Sequence, residues 1–243
     1  MRVYLLPFFL LLLFWGCKAQ DSDTDQPIPP GKDLIRGADL SFLPEIEAAG
    51  TLFFDKNNMQ KEVLAIFQES GCNMVRLRLW HTPANQHSGS AEVAAMAQRV
   101  REKGMKVWLD IHYSDTWADP GQQAKPAAWQ SLDYAALQTA VYDYTKQVLV
   151  LVKPDMVQIG NEIGNGFLWP TGKLDQQPAQ FAGLLKQGIR AAREHDPKMK
   201  IMVHHAGLNG SEWYYNFMKT NAVDYDLIGL SYYPKWHGKN LDS

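Results

Sequence analysis

The chain has 243 residues, of which 46% are apolar and 12% aromatic, enough for one large domain or two small ones. A formal net charge of −2 gives no support to nucleic-acid binding, which wants a basic patch or stripe. Eight Trp and ten Tyr supply flat faces on which pyranose rings stack, although most such side chains fill cores.

The N-terminus reads as a targeting segment. Met1-Arg2 gives a short positive start, and Val3 to Trp15 is nearly all apolar. At about 13 residues that run is too short to span a bilayer as a helix. Phe14-Trp15-Gly16-Cys17 resembles a lipobox, although Phe14 and Trp15 are bulkier than the usual pattern. Residues 1–17 are therefore expected to form a lipoprotein signal, with Cys17 lipidated and the protein exported and anchored to a bacterial membrane or cell surface. Ordinary cleavage near Ala19 would instead give a secreted soluble protein. Residues 18–33 are polar and Pro-rich and carry Asp21, Asp23 and Asp25, which predicts a solvated tether.

From residue 34 onward, strand and helix patterns alternate. Ile35 to Leu40 is the first predicted strand. Met59 to Ser70 is helical, with Val63, Ile66 and Phe67 on one face, an Asn57/Gln60 capping box and a stop at Gly71. The lone Cys72 that follows reads as a small buried hydrophobe. Asn73 to Trp80 is a second strand, Ala91 to Lys103 a helix, and Lys106 to His112 a third strand. Leu132 to Val152 is a long helix ended by Pro154, and Met156 to Asn161 a fourth strand. Helix Ala179 to Glu194, strand Ile201 to His205, helix Glu212 to Thr220 and strand Leu227 to Tyr232 complete the pattern. Strands joined by helices imply parallel pairing and right-handed crossovers.

Two parallel architectures compete. A doubly wound sheet usually carries a Gly-rich phosphate loop after its first strand, and none is present. A (β/α)8 barrel places polar residues at the C-terminal strand ends. Here they are Asp39, Arg76 and Arg78, Asp110 and His112, Asn161 and Glu162, His204 and His205, and Tyr232 and Tyr233. The two-residue strand period puts Arg76, Arg78 and Trp80 on one face and Val75, Leu77 and Leu79 on the other. It likewise sets Trp108, Asp110 and His112 against Leu109 and Ile111. The polar face is expected to point into the barrel, where Arg76 and Asp110 need to pair to offset burial. A purely structural network between them would meet the same need. His204 and His205 point to opposite faces, which argues against their sharing a metal ion.

Asn161-Glu162, at the end of the fourth strand, is the sharpest feature. Cleaving a glycosidic bond needs a proton donor, and a retaining site needs a second carboxylate about 5–5.5 Å away as nucleophile. With Asn161-Glu162 the following stretches resemble the arabinogalactan endo-β-1,4-galactanases of glycoside hydrolase family 53: Gly37-Ala38-Asp39-Leu40-Ser41, Asn73 to Trp80, Asp110 to Gly121, Lys125 to Trp129, Gln158 to Ile163 with Trp169-Pro170, and Asp226 to Tyr233. The resemblance spans about Leu34 to His237. It implies a retaining barrel in which Glu162 is the acid/base and Asn161 orients the substrate. It further implies that Arg76 or Arg78, with Tyr232 or Tyr233, holds the nucleophile's carboxylate. Asp39, His112, Asp115, Trp117 and Trp169 are the sugar-binding candidates, and Trp117 could equally be an anchor that packs its loop.

Such a barrel has eight strands, and six are counted here. The nucleophile is expected on strand seven, so the sequence reads as an N-terminal part with little or no activity of its own and exposed edges at strands one and six. No cofactor or metal is expected in it, any calcium site of the family falling in later loops. The expected partners are β-1,4-galactan or arabinogalactan and a membrane, and the complete protein is expected to be monomeric. Two alternatives are a lipid-anchored galactan-binding protein without catalysis, and a retaining barrel acting on another β-1,4-glycan such as mannan.

Overall fold

A computed structural model describes residues 34–237. The lipidation candidate Cys17, the tether over 18–33 and the final residues 238–243 lie outside the described residues. Six strands form one parallel sheet in unbroken chain order: β1 (Gly37–Asp39), β2 (Met74–Leu79), β3 (Lys106–Ile111), β4 (Met156–Ile159), β5 (Lys200–Ala206) and β6 (Leu227–Ser231). The helices are α1 (Leu43–Ala48), α2 (Val63–Glu69), α3 (Ser90–Glu102), α4 (Tyr134–Val152), α5 (Pro178–His195), α6 (Ser211–Thr220) and α7 (Pro234–His237). This is a curled half-barrel made of six consecutive βα units, as the alternation predicts.

The two-residue period sorts the strand side chains as expected. Val75, Leu77, Leu79, Val107, Leu109, Ile111, Val157, Ile159, Ile201 and Val203 are fully buried on the outer face. They share one core with Val93, Val100, Leu137, Val148, Leu149, Phe181 and Leu185 of α3, α4 and α5. On the inner face Met74, Met156 and Met202 form an apolar floor with Trp108 and Leu227. Above it the register sets Asp39 beside Arg76, Arg78 beside Asp110, and Asp110 beside Gln158. The polar layer therefore lies one level nearer the C-terminal ends, and the methionine floor closes the space beneath it.

Three local expectations are corrected. The second helix begins at Val63, not Met59, and Glu62 occupies its N-cap without a side-chain bond. Asn57 and Gln60 form no capping box. Asp55 Oδ1 instead accepts from the N–H groups of Asn57 (2.8 Å) and Met59 (3.0 Å), and Gln60 bridges back to Phe54, so an Asx turn takes the place of a first helical turn. Helix α1, which has no long apolar period, was not expected; Pro44 stands in its first turn. Cys72 is half-buried against the core rather than enclosed in it.

Candidate active site

The chain leaves β4 through a pair of left-handed residues, Gly160 (φ 83°) and Glu162 (φ 50°). A side chain at Gly160 would set its Cβ 2.6 Å from Ile163 Cγ2, so only glycine fits that turn. The uncommon backbone at Glu162 has a use: it turns the carboxylate away from Asn161 and toward β6. There the Ser231 hydroxyl donates to Glu162 Oε1.

Arg76 is the hub of the site. Its Nη1 donates to Asp39 Oδ2 (2.6 Å), and its Nη2 to Asp110 Oδ2 (2.6 Å) and Asn161 Oδ1 (2.9 Å). Asn161 Nδ2 donates to the Ala118 carbonyl (2.8 Å), which fixes the amide from both ends. Gln158 Nε2 donates to the other Asp110 oxygen (2.7 Å). His112 Nδ1 accepts from the Ala118 N–H (3.2 Å), so its Nε2 bears the proton and donates to Asp110 Oδ2 (2.9 Å). Burial works against the Asp110 charge, yet Arg76 and then His112 outweigh it and hold that carboxyl below its ordinary value. Burial likewise opposes the Arg76 charge, and Asp110 and Asp39 overcome it, so the guanidinium is held above its usual value.

Both nearby aspartates are fully engaged. Asp39 Oδ1 accepts from the Ser41 N–H (3.0 Å) and hydroxyl (2.6 Å), and Oδ2 from Arg76. Asp110 gives one oxygen to Gln158 and the other to Arg76 and His112. Neither is free to attack a sugar.

His204 completes the inner layer. Burial pushes it down to about 4, so it is neutral at physiological pH. Its Nδ1 accepts from the Glu162 N–H (3.2 Å), which places the proton on Nε2, 3.1 Å from the Ser231 hydroxyl. A short chain therefore runs from His204 through Ser231 to the Glu162 carboxylate. Sequence reasoning missed Ser231 and Gln158. Strand parity carries the signal for Ser231: Gly229 pairs with the inward His204, so the residue two further on faces inward as well.

The other candidates scatter around the rim. Arg78 is 2% exposed and packs its guanidinium against Trp80 and Trp117 (4.3 Å each) and Phe42 (4.4 Å), with its Nη2 on Ser88 Oγ (2.8 Å). Burial pulls its basicity down. Trp117, 42% exposed, thus stands on a cationic and aromatic support. Asp115 gives one oxygen to the Thr82 N–H (2.9 Å) and the other to the Ala127 N–H (2.8 Å), tying two loops together. Tyr232 and Tyr233 lie beyond the end of β6 with their rings against His237. Trp169 donates its Nε1 to the Asn165 carbonyl (3.1 Å), just past Glu162 in sequence. His205 points outward against Tyr214. Among the described residues no group of three or more His, Cys, Asp or Glu is placed to hold a metal ion.

Buried charge gathered at the C-terminal rim of a curled parallel sheet marks a barrel protein that works at that rim. Within this class the match is specific. The family model for glycosyl hydrolase family 53 matches residues 35–243, and the chain belongs to that family. It is 35% identical over 230 residues to the endo-beta-1,4-galactanase of Bacillus subtilis, covering 87% of this chain and 52% of that protein. It is 36% identical over 220 residues to the arabinogalactan endo-beta-1,4-galactanase of Cellvibrio japonicus, covering 84% of this chain and 58% of that one. Among solved structures, the Ignisphaera aggregans GH53 catalytic domain superposes with a TM-score of 0.80 at 40% identity, over 87% of this chain and 64% of that chain. The chain spans between 52% and 66% of the length of the curated relatives it matches.

Proposed function

We propose that the protein hydrolyses internal β-1,4-galactosidic linkages of galactan or arabinogalactan by a retaining double displacement, with Glu162 as acid/base. The observation that carries this reading is the placement of Glu162: a carboxylate at the rim of β4, half-buried, beside an Asn161 amide fixed on Arg76. In the first step Glu162 gives its proton to the leaving oxygen. In the second it takes one from water. In this reading the Asn161 amide, held by Arg76 and the Ala118 carbonyl, uses its second Nδ2 hydrogen to bind a hydroxyl of the reacting sugar. In this reading the nucleophile comes from a seventh strand, as the family resemblance implies, while Asp39 and Asp110 stay bound to Arg76.

In the full-length protein, Glu162→Gln is expected to lower kcat on galactan by roughly 10²–10⁴-fold with KM little changed. Proton NMR of the first products is expected to show the β-anomer. Wild-type hydrolysis rates in the Glu162→Gln protein, or a first product with inverted configuration, would sink this assignment.

We also propose export with a lipid anchor at Cys17, supported by the Met1-Arg2 start and the apolar run that ends at Gly16-Cys17. Cys17→Ala should move the protein from the detergent phase to the aqueous phase in Triton X-114 partition. Unchanged partition would favour a secreted soluble form.

A further inference from the structure

A groove of about 350 Å³ is lined by residues that follow Glu162 in the chain, and of the interactions described above it contains only the Trp169–Asn165 hydrogen bond. Its lining includes Gly164, Asn165, Trp169, Lys173, Asp175 and Trp213. That volume is at the low end of small-molecule sites, about 300–1,000 Å³. The groove is tied to Glu162 through the chain. Gly164 and Asn165 follow Glu162 directly, in the single 3-10 turn Ile163–Asn165. The Asn165 carbonyl holds the Trp169 indole at 3.1 Å, so this ring is fixed relative to Glu162. Gly164 packs directly against His205, since a Cβ there would meet His205 Cδ2 at 2.7 Å.

Trp213 forms the outer part. It sits in the first turn of α6, one face stacked on Phe217 at 5.9 Å and 25°. The residue is nevertheless 60% exposed. A large indole so open to water is costly as packing alone, and this one lines the groove. Lys173 and Asp175 stand at the same opening, paired at 3.8 Å, with the Lys173 ammonium 5.5 Å from the centre of the Trp169 ring. Indole faces with a few charged groups at the margin suit a pyranose, whose C–H face stacks while its hydroxyls hydrogen-bond around the edge. In β-galactopyranose the axial 4-oxygen leaves the opposite ring face a continuous C–H patch, which favours such stacking. Asn161 and Glu162 turn their side chains toward Arg76 and Ser231, whereas the groove opens on the side of the Ile163–Asn165 turn.

We infer that Trp213, with Trp169, forms an outlying subsite for a β-1,4-galactan chain running past Glu162. The inference rests on the galactanase reading above and adds Trp213 to it as a substrate-binding residue.

The test is calorimetric binding of β-1,4-galactotetraose and β-1,4-galactohexaose by the full-length protein in a Glu162→Gln background, so that the sugar is not consumed. Trp213→Ala is expected to weaken hexaose binding by about tenfold, and Trp213→Tyr to restore most of it. Unchanged hexaose affinity in Trp213→Ala, with the parent binding normally, would overturn the subsite and leave the galactanase reading standing. Failure of the Trp213-intact parent to bind either sugar would overturn both. A loss in Trp213→Ala that Trp213→Tyr does not restore would mean that α6 is disturbed and would count against a stacking role.

Discussion

The Asn161 and Glu162 side chains part company at the rim, one bound to Arg76 and the other to Ser231. Their identity was legible in the sequence because Asn-Glu at the end of a predicted strand is a chemical pattern. What holds them was less legible. Ser231, which ends β6 and presents its hydroxyl to Glu162, was not among the candidates, because the resemblance assigns Tyr232 or Tyr233 to the nucleophile's carboxylate and names no partner for Glu162. His204 is where pH should register. Its folded value lies near 4, below the ordinary value of 6.5, so the unfolded chain binds the extra proton first as pH falls. The stability that neutral His204 contributes is complete above pH 6.5 and is lost as pH drops through the window down to 4. The loss is on the order of 3 kcal/mol if the whole shift is expressed. Urea denaturation at pH 7, 5.5 and 4.5 should show this slope, and His204→Asn should reduce it, with burial of His81, also held below 6.5, supplying part of the remainder. The Asp110 contribution falls outside that window, since its lowered value makes it disappear only below about pH 3.8. An equal slope in His204→Asn would assign the dependence to other groups.

Among the elements, the strands were read best, because inward and outward positions alternate and the outward ones form one apolar set from Val75 to Val203. Short pieces escaped. Helix α1 has too few turns to show a period, and the Asp55 turn mimics a helix start in its residue types. The long α4 was placed to within two residues, since Asp133 accepts from the Ala136 N–H at 2.8 Å as an N-cap should. The β4 exit is the element most exposed to single changes. Gly160→Ala adds a Cβ against Ile163 and asks alanine to adopt a left-handed φ. It should lower unfolding free energy by about 2–3 kcal/mol. Activity should fall along with stability, because the same turn aims Glu162. A Gly160→Ala protein with parental stability in urea would refute this account of the turn.

At the scale of the whole molecule, the described sheet has two open edges, β1 and β6, each paired on one side. Apolar side chains are exposed beside both: Ile35, Phe42 and Ile46 near β1, and Ile228 (55%) and Leu230 (38%) on the outer face of β6. Unpaired parallel edges flanked by apolar surface invite association. The 243-residue chain is expected to self-associate with rising concentration in sedimentation velocity runs, and Ile228→Lys with Leu230→Lys should suppress it. A single monomeric species at high concentration would contradict that expectation.

The Arg76 hub joins residues from β1, β3 and the end of β4 to its own strand β2. Its bonds form only when all four strands sit in register, because a one-residue slip turns each partner to the opposite face. The same contacts that orient Asn161 thus act as a lock on correct assembly: a molecule with a strand misplaced also has a misaligned amide. One guanidinium thus serves both the register of the strands and the orientation of the Asn161 amide.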